Sequence, residues 1–219
     1  MKALIGADAD YQYLLDHPDG FLEQIMPGIK MWSGMRMICD AVFNEGRANP
    51  RFPHQRTTVR AAHGLSKTYV AAAIGCAFLN LWPHSIVVTV APTGRQVKDL
   101  LWKEVGAMYL RWAKGAGGFL RGEPQTLRVR VDEDWFMFGF STDHPAKVEG
   151  LHAPRILWIL DEAKGLPNFL YPSIEGSLTG GVSRILEIST TDGADQRAPF
   201  REHHEKARGS SGNGSGAKL

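Results

Sequence analysis

The chain has 219 residues, of which 43% are hydrophobic and 22% are charged, so it is long enough to bury the core of one globular domain. Its 25 Lys and Arg against 23 Asp and Glu give a formal net charge of +2, so any nucleic-acid contact must come from a local patch. Cys39 and Cys76 lack metal-ligand spacing, and no apolar run has the length of a membrane span or the form of a signal peptide. We therefore expect a cytosolic globular unit without disulfides.

The first 43 residues are predicted to contain an extension and a helix. Residues 1–30 are mixed in character and punctuated by Gly and Pro, which predicts an N-terminal extension. Over 31–43, apolar residues recur at steps of three and four, which predicts an amphipathic helix. A polar stretch with two prolines ends this helix.

From Thr57 onward the pattern predicts an α/β domain. Short β-branched runs alternate with helical periods, which is typical of a mainly parallel central sheet with helices on both faces. A β-hairpin is predicted from two runs, 127–131 and 135–140, inserted before the third core strand. The predicted core strands are 57–61, 86–90, 156–160 and 184–188, and the predicted helices begin at Lys67 and after Thr93.

The end of the chain differs in composition from the domain. Residues 206–219 are dominated by Gly, Ser and polar side chains with almost nothing apolar to bury, which predicts a flexible tail. The domain is therefore expected to span 31–205.

A candidate phosphate-binding loop joins the first core strand to the helix that follows. Backbone N–H groups at such a helix N-terminus can face an anion, Lys67 would neutralise the β- and γ-phosphates, and Thr68 would place its hydroxyl on Mg²⁺. The full pattern has glycine where this chain has Ala61 and Ser66, and a degenerate loop alone is more often a chance match. The loop residues predicted to bind nucleotide are His63, Gly64, Leu65, Ser66, Lys67 and Thr68.

Two carboxylates, Asp161 and Glu162, follow the apolar strand 156–160. They lie at the edge of the sheet to which α/β folds bring their ligands. Asp161 would hold Mg²⁺ together with Thr68, and Glu162 would orient and deprotonate the water that attacks the γ-phosphate. An isolated acidic pair is more often a solvated turn or a helix cap. The apolar strand before the pair and the phosphate loop upstream favour an enzyme.

Five blocks of sequence, in this order, resemble the ATPase domain of large terminase subunits of tailed bacteriophages. The blocks are 59–68, 90–97 together with 101–104, 149–153, 161–163 and 175–179. The resemblance implies a P-loop NTPase of the ASCE/RecA-like type, with ATP and Mg²⁺ as cofactors. It makes Arg60 and His63 candidates for contacting phosphate in cis, with Arg60 joining Lys67 and Glu162 in catalysis. Thr190, after the last core strand, becomes a candidate relay that senses the γ-phosphate.

The same resemblance implies a motor that hydrolyses ATP to move double-stranded DNA into a procapsid. Its expected partners are double-stranded DNA, the portal protein and the small terminase subunit, in a homo-oligomeric ring in the cytoplasm of the infected bacterial host and without a membrane. Fewer than 30 residues follow Thr191, so the nuclease domain of the family is expected to be absent.

Two other functions stay open from the sequence. The degenerate loop could belong to a non-catalytic nucleotide- or DNA-docking module. The residues after the third core strand also resemble a box of helicase-like DNA-dependent ATPases, although a helicase needs a second motor domain and a shared fold does not assign function.

Overall fold

The structure is a computed structural model that describes most of the chain. The described residues are 13–14, 16–26, 30–43, 54–62, 64–114, 120–142, 150–178, 181–190, 199–209 and 216–218. Among them, every helix is too short or too polar to cross a bilayer.

Eight strands form one sheet. In chain order they are β1 (His54–Arg60), β2 (Ser85–Ala91), β3 (Glu123–Gln125), β4 (Arg128–Arg130), β5 (Phe136–Ser141), β6 (Arg155–Asp161), β7 (Val182–Ser189) and β8 (Gly216–Lys218). Their order across the sheet is β3-β4-β5-β2-β6-β7-β1-β8. The strands from β5 to β8 in this order run parallel, whereas β3 and β4 add an antiparallel edge. The predicted, mainly parallel sheet is confirmed.

Helices cover both faces of this sheet. They are α1 (Pro18–Ile25), α2 (Ser33–Phe43), α3 (Lys67–Leu81), α4 (Trp102–Lys114), α5 (Leu170–Ser177) and α6 (Pro199–Gly209). Successive strand residues face opposite sides, as the pleat requires. Val87 and Leu157 lie in the apolar cluster that includes residues of α1 to α4. Val88 and Trp158 lie in the other cluster, with residues of α5 and with Phe200 of α6.

The predicted hairpin is present, but its second strand belongs to the parallel core. Strands β4 and β5 pair antiparallel, with Val129 opposite Met137. Strand β5 also pairs parallel with β2, with Phe138 opposite Val88. The hairpin precedes the third predicted core strand in the chain, as predicted, and its second half is in addition a strand of the parallel core.

One glycine of β5 admits a tryptophan from α4. A Cβ at Gly139 would lie 2.1 Å from Nε1 of Trp102 and 2.7 Å from Oγ1 of Thr89. The indole N–H of Trp102 donates to Oγ1 of Thr89 at 2.9 Å, and Trp102 is only 4% exposed. Trp102 is therefore a core residue, and its fit depends on the missing side chain of Gly139.

Regular structure extends beyond the limits predicted for the domain. Helix α1 lies in the predicted extension 1–30, yet Leu22 and Ile25 are fully buried in the main apolar cluster. At the other end, α6 continues to Gly209, and β8 pairs with β1 inside the predicted tail. The N-terminal segment therefore contributes to the same core as the rest of the domain.

Helix α6 is anchored to β1 and β7 by polar contacts. The carboxylate of Glu187 is fully buried and accepts a hydrogen bond from the Arg56 guanidinium. The His203 ring lies 3.0 Å from the same carboxylate oxygen, and His204 lies 3.1 Å from the hydroxyl of Thr58. A buried carboxylate needs such partners to offset its lost hydration, so these contacts fix α6 against the sheet.

Candidate active site

The predicted site residues lie where three neighbouring strands end. Strand β7 separates β1 from β6 in the sheet. Asp161 of β6 is opposite Ile188 of β7, and Ile188 is opposite Val59 of β1. Three features therefore lie at the same level and at the same edge of the sheet. They are the loop after β1, the residue after β7 and the acids at the end of β6.

The loop before α3 contains two residues with left-handed backbone. Gly64 has φ +81° and Ser66 has φ +52°. Only glycine enters this region without strain, so Ser66 holds the conformation for which the full pattern uses glycine. As the N-cap of α3, Ser66 makes no side-chain capping hydrogen bond, and the first turn of the helix contains no acidic residue. The N–H groups of that turn can therefore face an anion.

Lys67 lies half-buried over this loop. Its Nζ donates a hydrogen bond to the carbonyl oxygen of Ala62 at 2.6 Å. An ammonium group has three protons, so one carbonyl does not saturate it. The loop thus holds a positive charge beside the helix N-terminus while leaving it able to pair with further oxygens.

A direct hydrogen bond joins the loop side of the site to the acidic side. Oγ1 of Thr68 donates to Oδ2 of Asp161 at 3.1 Å, although the two residues are 93 positions apart. Oδ1 of Asp161 accepts from the backbone N–H of Glu162 at 3.1 Å. Asp161 is only 5% exposed, and burial raises its pKa to about 6, with Lys67 among the groups that oppose the shift. Thr68 and Asp161 are therefore brought together as the sequence predicts.

The chemistry of this pair fits Mg²⁺. A hydroxyl oxygen and a carboxylate oxygen are hard ligands, and Mg²⁺ is typically held by one or two carboxylates plus phosphate oxygens and water. The raised pKa of Asp161, which burial causes, also means that its charged form would gain from a cation.

Glu162 is held by two side chains. Its backbone is left-handed, with φ +51°. Its Oε1 accepts a hydrogen bond from the hydroxyl of Thr190 at 2.8 Å and lies 3.1 Å from Nζ of Lys164. Nζ of Lys164 also donates to the hydroxyl of Thr190. Thr190 thus contacts the second acid directly, a contact that sequence reasoning did not predict.

Lys164 is a site residue that the sequence analysis missed. Its only sequence signal is its position two residues after Glu162, and that spacing does not reveal which strand lies beside it. The contact depends on the end of β7, whose Ser189 hydroxyl accepts the backbone N–H of Lys164 at 3.3 Å.

Three further residues were predicted to belong to the site: Arg60, His63 and Leu65. Arg60 is the last residue of β1 and is half-buried on the face of that strand shared by Arg56 and Thr58, which contact α6. Leu65 is 37% exposed at the loop. His63 lies outside the described residues.

Known proteins resemble this chain in sequence and in fold. No family model matches the chain. A probable large terminase subunit of Enterobacteria phage P7 is 29% identical over 143 residues, which are 61% of this chain and 28% of that protein. The large terminase of bacteriophage HK97 superposes with a TM-score of 0.67 at 15% identity, over 91% of this chain and 42% of that one. The large terminase ATPase domain of Thermus phage P74-26 gives a TM-score of 0.57 at 20% identity, over 83% of this chain and 72% of that one.

The chain has the fold of a large-terminase ATPase domain. The predicted resemblance to large terminase subunits is confirmed by these matches, and so is the predicted α/β fold with a mainly parallel sheet. The chain spans only 28% of the length of the curated relative.

Proposed function

We propose that this chain is an ATP-hydrolysing motor domain of a phage large terminase, which uses ATP to move double-stranded DNA into a procapsid. The observation that carries the proposal is the hydrogen bond between Thr68 and Asp161. It joins a lysine-bearing loop at a helix N-terminus to an acidic strand end, and a bound triphosphate needs both at once.

The loop residues bind and orient the triphosphate. The first-turn N–H groups of α3 bind phosphate oxygens, and Lys67 exchanges its bond to the Ala62 carbonyl for the β- and γ-phosphates. Thr68 and Asp161 would hold Mg²⁺, which would supply positive charge to offset the negative charge that develops during transfer. Asp161 is predominantly ionised above its pKa of about 6, as a metal ligand must be.

Glu162 accepts the proton of the attacking water. Oε1 of this carboxylate accepts a hydrogen bond from the hydroxyl of Thr190 at 2.8 Å. A carboxylate held in this way orients the water in line with the γ-phosphate and takes its proton as the new P–O bond forms and the bond to the leaving ADP breaks. Thr190, at the end of β7, would then transmit the loss of the γ-phosphate to the sheet.

The oligomeric state and the partners that we propose rest on the names of the relatives and not on contacts in the structure. Both structural relatives and the phage P7 protein are described as large terminases. We accordingly propose a homo-oligomeric ring on duplex DNA, with the portal protein and the small terminase subunit as partners, in the cytoplasm of the infected host. DNA binding would go mainly through phosphates and would therefore weaken with salt.

Lys67→Ala is the test of this proposal. Turnover of ATP should be measured with double-stranded DNA and at raised protein concentration, for the wild type, for Lys67→Ala and for the control Lys206→Ala. Lys206 is 71% exposed on α6. Lys67→Ala should lower turnover at least about 100-fold, since it removes a charge that stabilises the transition state, whereas the control should match the wild type. A wild type that is no faster than Lys67→Ala, yet binds ATP, would instead identify a docking module.

A further inference from the structure

Beside the proposed base lies a lysine that the proposed function does not yet use. Lys164 is half-buried, with its side chain 26% exposed, and its Nζ lies 3.1 Å from Oε1 of Glu162. The same Nζ donates to the hydroxyl of Thr190, which is 4% exposed. An exposed lysine–glutamate pair contributes little to stability. The Lys164 ammonium also donates to a buried hydroxyl, and this second contact restricts its position.

The direction of each hydrogen bond in this group follows from the donors. An ammonium group can only donate, so the Thr190 oxygen accepts from Lys164. The single hydroxyl proton of Thr190 is thereby directed to Oε1 of Glu162, where the distance is 2.8 Å. Lys164 therefore acts on Glu162 twice, once directly and once by orienting the proton of Thr190.

The backbone that carries Lys164 is fixed from three sides. Its N–H donates to the Ser189 hydroxyl at the end of β7. The carbonyl of Ala163 accepts from the Tyr171 hydroxyl at 3.3 Å. A Cβ at Gly165 would lie 3.0 Å from Cγ of Pro92, so this turn packs closely on the loop after β2. The side chain of Lys164 therefore extends from a turn whose backbone is held by two hydrogen bonds and one close packing contact.

We infer that Lys164 is a positioning residue for hydrolysis: with Thr190 it holds Oε1 of Glu162, so that Oε2 is presented to the attacking water. The inference rests on the proposed function, since it assigns a role toward the same base. It predicts that Lys164 affects the chemical step and leaves nucleotide binding unchanged, because the described contacts of its side chain lie on Glu162 and Thr190.

The test compares Lys164→Met with Lys164→Arg in the full chain. Lys164→Met should lower kcat about 10- to 100-fold, the loss expected when a reacting group moves by about 1 Å. The KM for ATP and the Kd of a fluorescent ATP analogue should stay within about twofold, as for an interaction made only in the transition state. Lys164→Arg, which keeps the charge and the donors, should recover most of the lost rate. Lys206→Met is the matched control, because Lys206 also pairs with a glutamate, Glu202, but on the exposed face of α6.

A second measurement keeps the inference falsifiable if Lys164→Met does not fold. Thr190→Val removes the shared hydroxyl at nearly constant volume, and Lys164→Gln removes the charge while keeping a polar end group on a side chain that is one atom shorter. If both residues act on the same oxygen, the double variant should lose less rate than the product of the two single losses. Independent losses, or a Lys164→Met variant with wild-type kcat, would overturn the inference alone. A wild type as slow as Lys67→Ala would overturn the proposed function and this inference together.

Discussion

Asp161→Asn is expected to stabilise the protein at pH 8 while abolishing ATP hydrolysis. Asp161 is 5% exposed, and burial raises its pKa from an ordinary 3.8 to about 6, because the charged form loses its hydration. The hydrogen bond from Thr68 opposes this shift, as does Lys67. Asparagine resembles the protonated carboxyl in size and, like it, is neutral. The substitution therefore removes the electrostatic penalty of the buried carboxylate. It also removes the anionic oxygen that would hold Mg²⁺.

The magnitude and its pH dependence follow from the two pKa values. Above pH 6 the group is ionised in both the native and the unfolded state, and the difference between 3.8 and about 6 destabilises the native state by about 3 kcal/mol. As the pH falls through 6 the native state takes up the proton first, so the wild type regains this stability down to about pH 4. The advantage of Asp161→Asn should therefore shrink from about 3 kcal/mol at pH 8 to about 1.5 kcal/mol at pH 5.

The assay is urea unfolding in EDTA at both pH values. Asp99→Asn is the matched control, because Asp99 is exposed, and it should change stability by less than about 0.5 kcal/mol at either pH. Adding Mg²⁺ with an ATP analogue should then stabilise the wild type and not Asp161→Asn. An Asp161→Asn variant that is less stable than the wild type at pH 8, or whose advantage is equal at pH 8 and pH 5, would refute the reasoning.

Three further changes test other features of the structure. Ser66→Gly should raise the free energy of unfolding by about 0.5–1 kcal/mol by relieving the left-handed φ of +52°, and keep ATP turnover; destabilisation in thermal unfolding would contradict this. Gly139→Ala should lower the free energy of unfolding by about 1–3 kcal/mol, because the new Cβ collides with Trp102, and tryptophan fluorescence should change as well. An unchanged free energy of unfolding would show that the indole moves aside. Glu187→Gln should lower the free energy of unfolding, measured in urea, by about 3 kcal/mol, since Arg56 loses its charged, buried partner. A loss below about 1 kcal/mol would count against a structural role for this pair.

The parallel core was predictable because its strands are apolar on both faces. The runs predicted at 86–90 and 156–160 correspond to Ser85–Ala91 and Arg155–Asp161, each one residue longer at both ends. Their side chains are buried from both sides, which removes the polar alternation and leaves a continuous apolar signal. The parallel pairing of β5 with β2 was not predictable, since local sequence shows the hairpin of β4 and β5 and not a partner about 50 positions away.

The short and polar helices escaped prediction for a different reason. Helix α5 has eight residues, too few for a periodic pattern. Helix α6 is mostly charged, and among its described side chains only Phe200 and His204 are buried. Such helices form by docking on the sheet and carry little signal of their own.

In the site, the residues found in advance are those with a local motif. Lys67, Thr68, Asp161 and Glu162 each belong to a short pattern next to a predicted strand. Lys164 has no such pattern, because its contacts with Thr190 and Ser189 exist only once β7 lies beside β6. Sequence alone therefore predicts the groups that would meet the nucleotide better than the groups that hold them in place.

The placement of β7 between β1 and β6 has a mechanical consequence. Strands in a sheet lie about 4.8 Å apart, so the ends of β1 and β6 are about 10 Å apart, and Thr68 reaches Asp161 across the tip of β7. Ser189 at that tip accepts the N–H of Lys164 on one side, and its carbonyl accepts the N–H of Ala61 on the other. A change that shifts the backbone at Ser189 would therefore move both halves of the site at once.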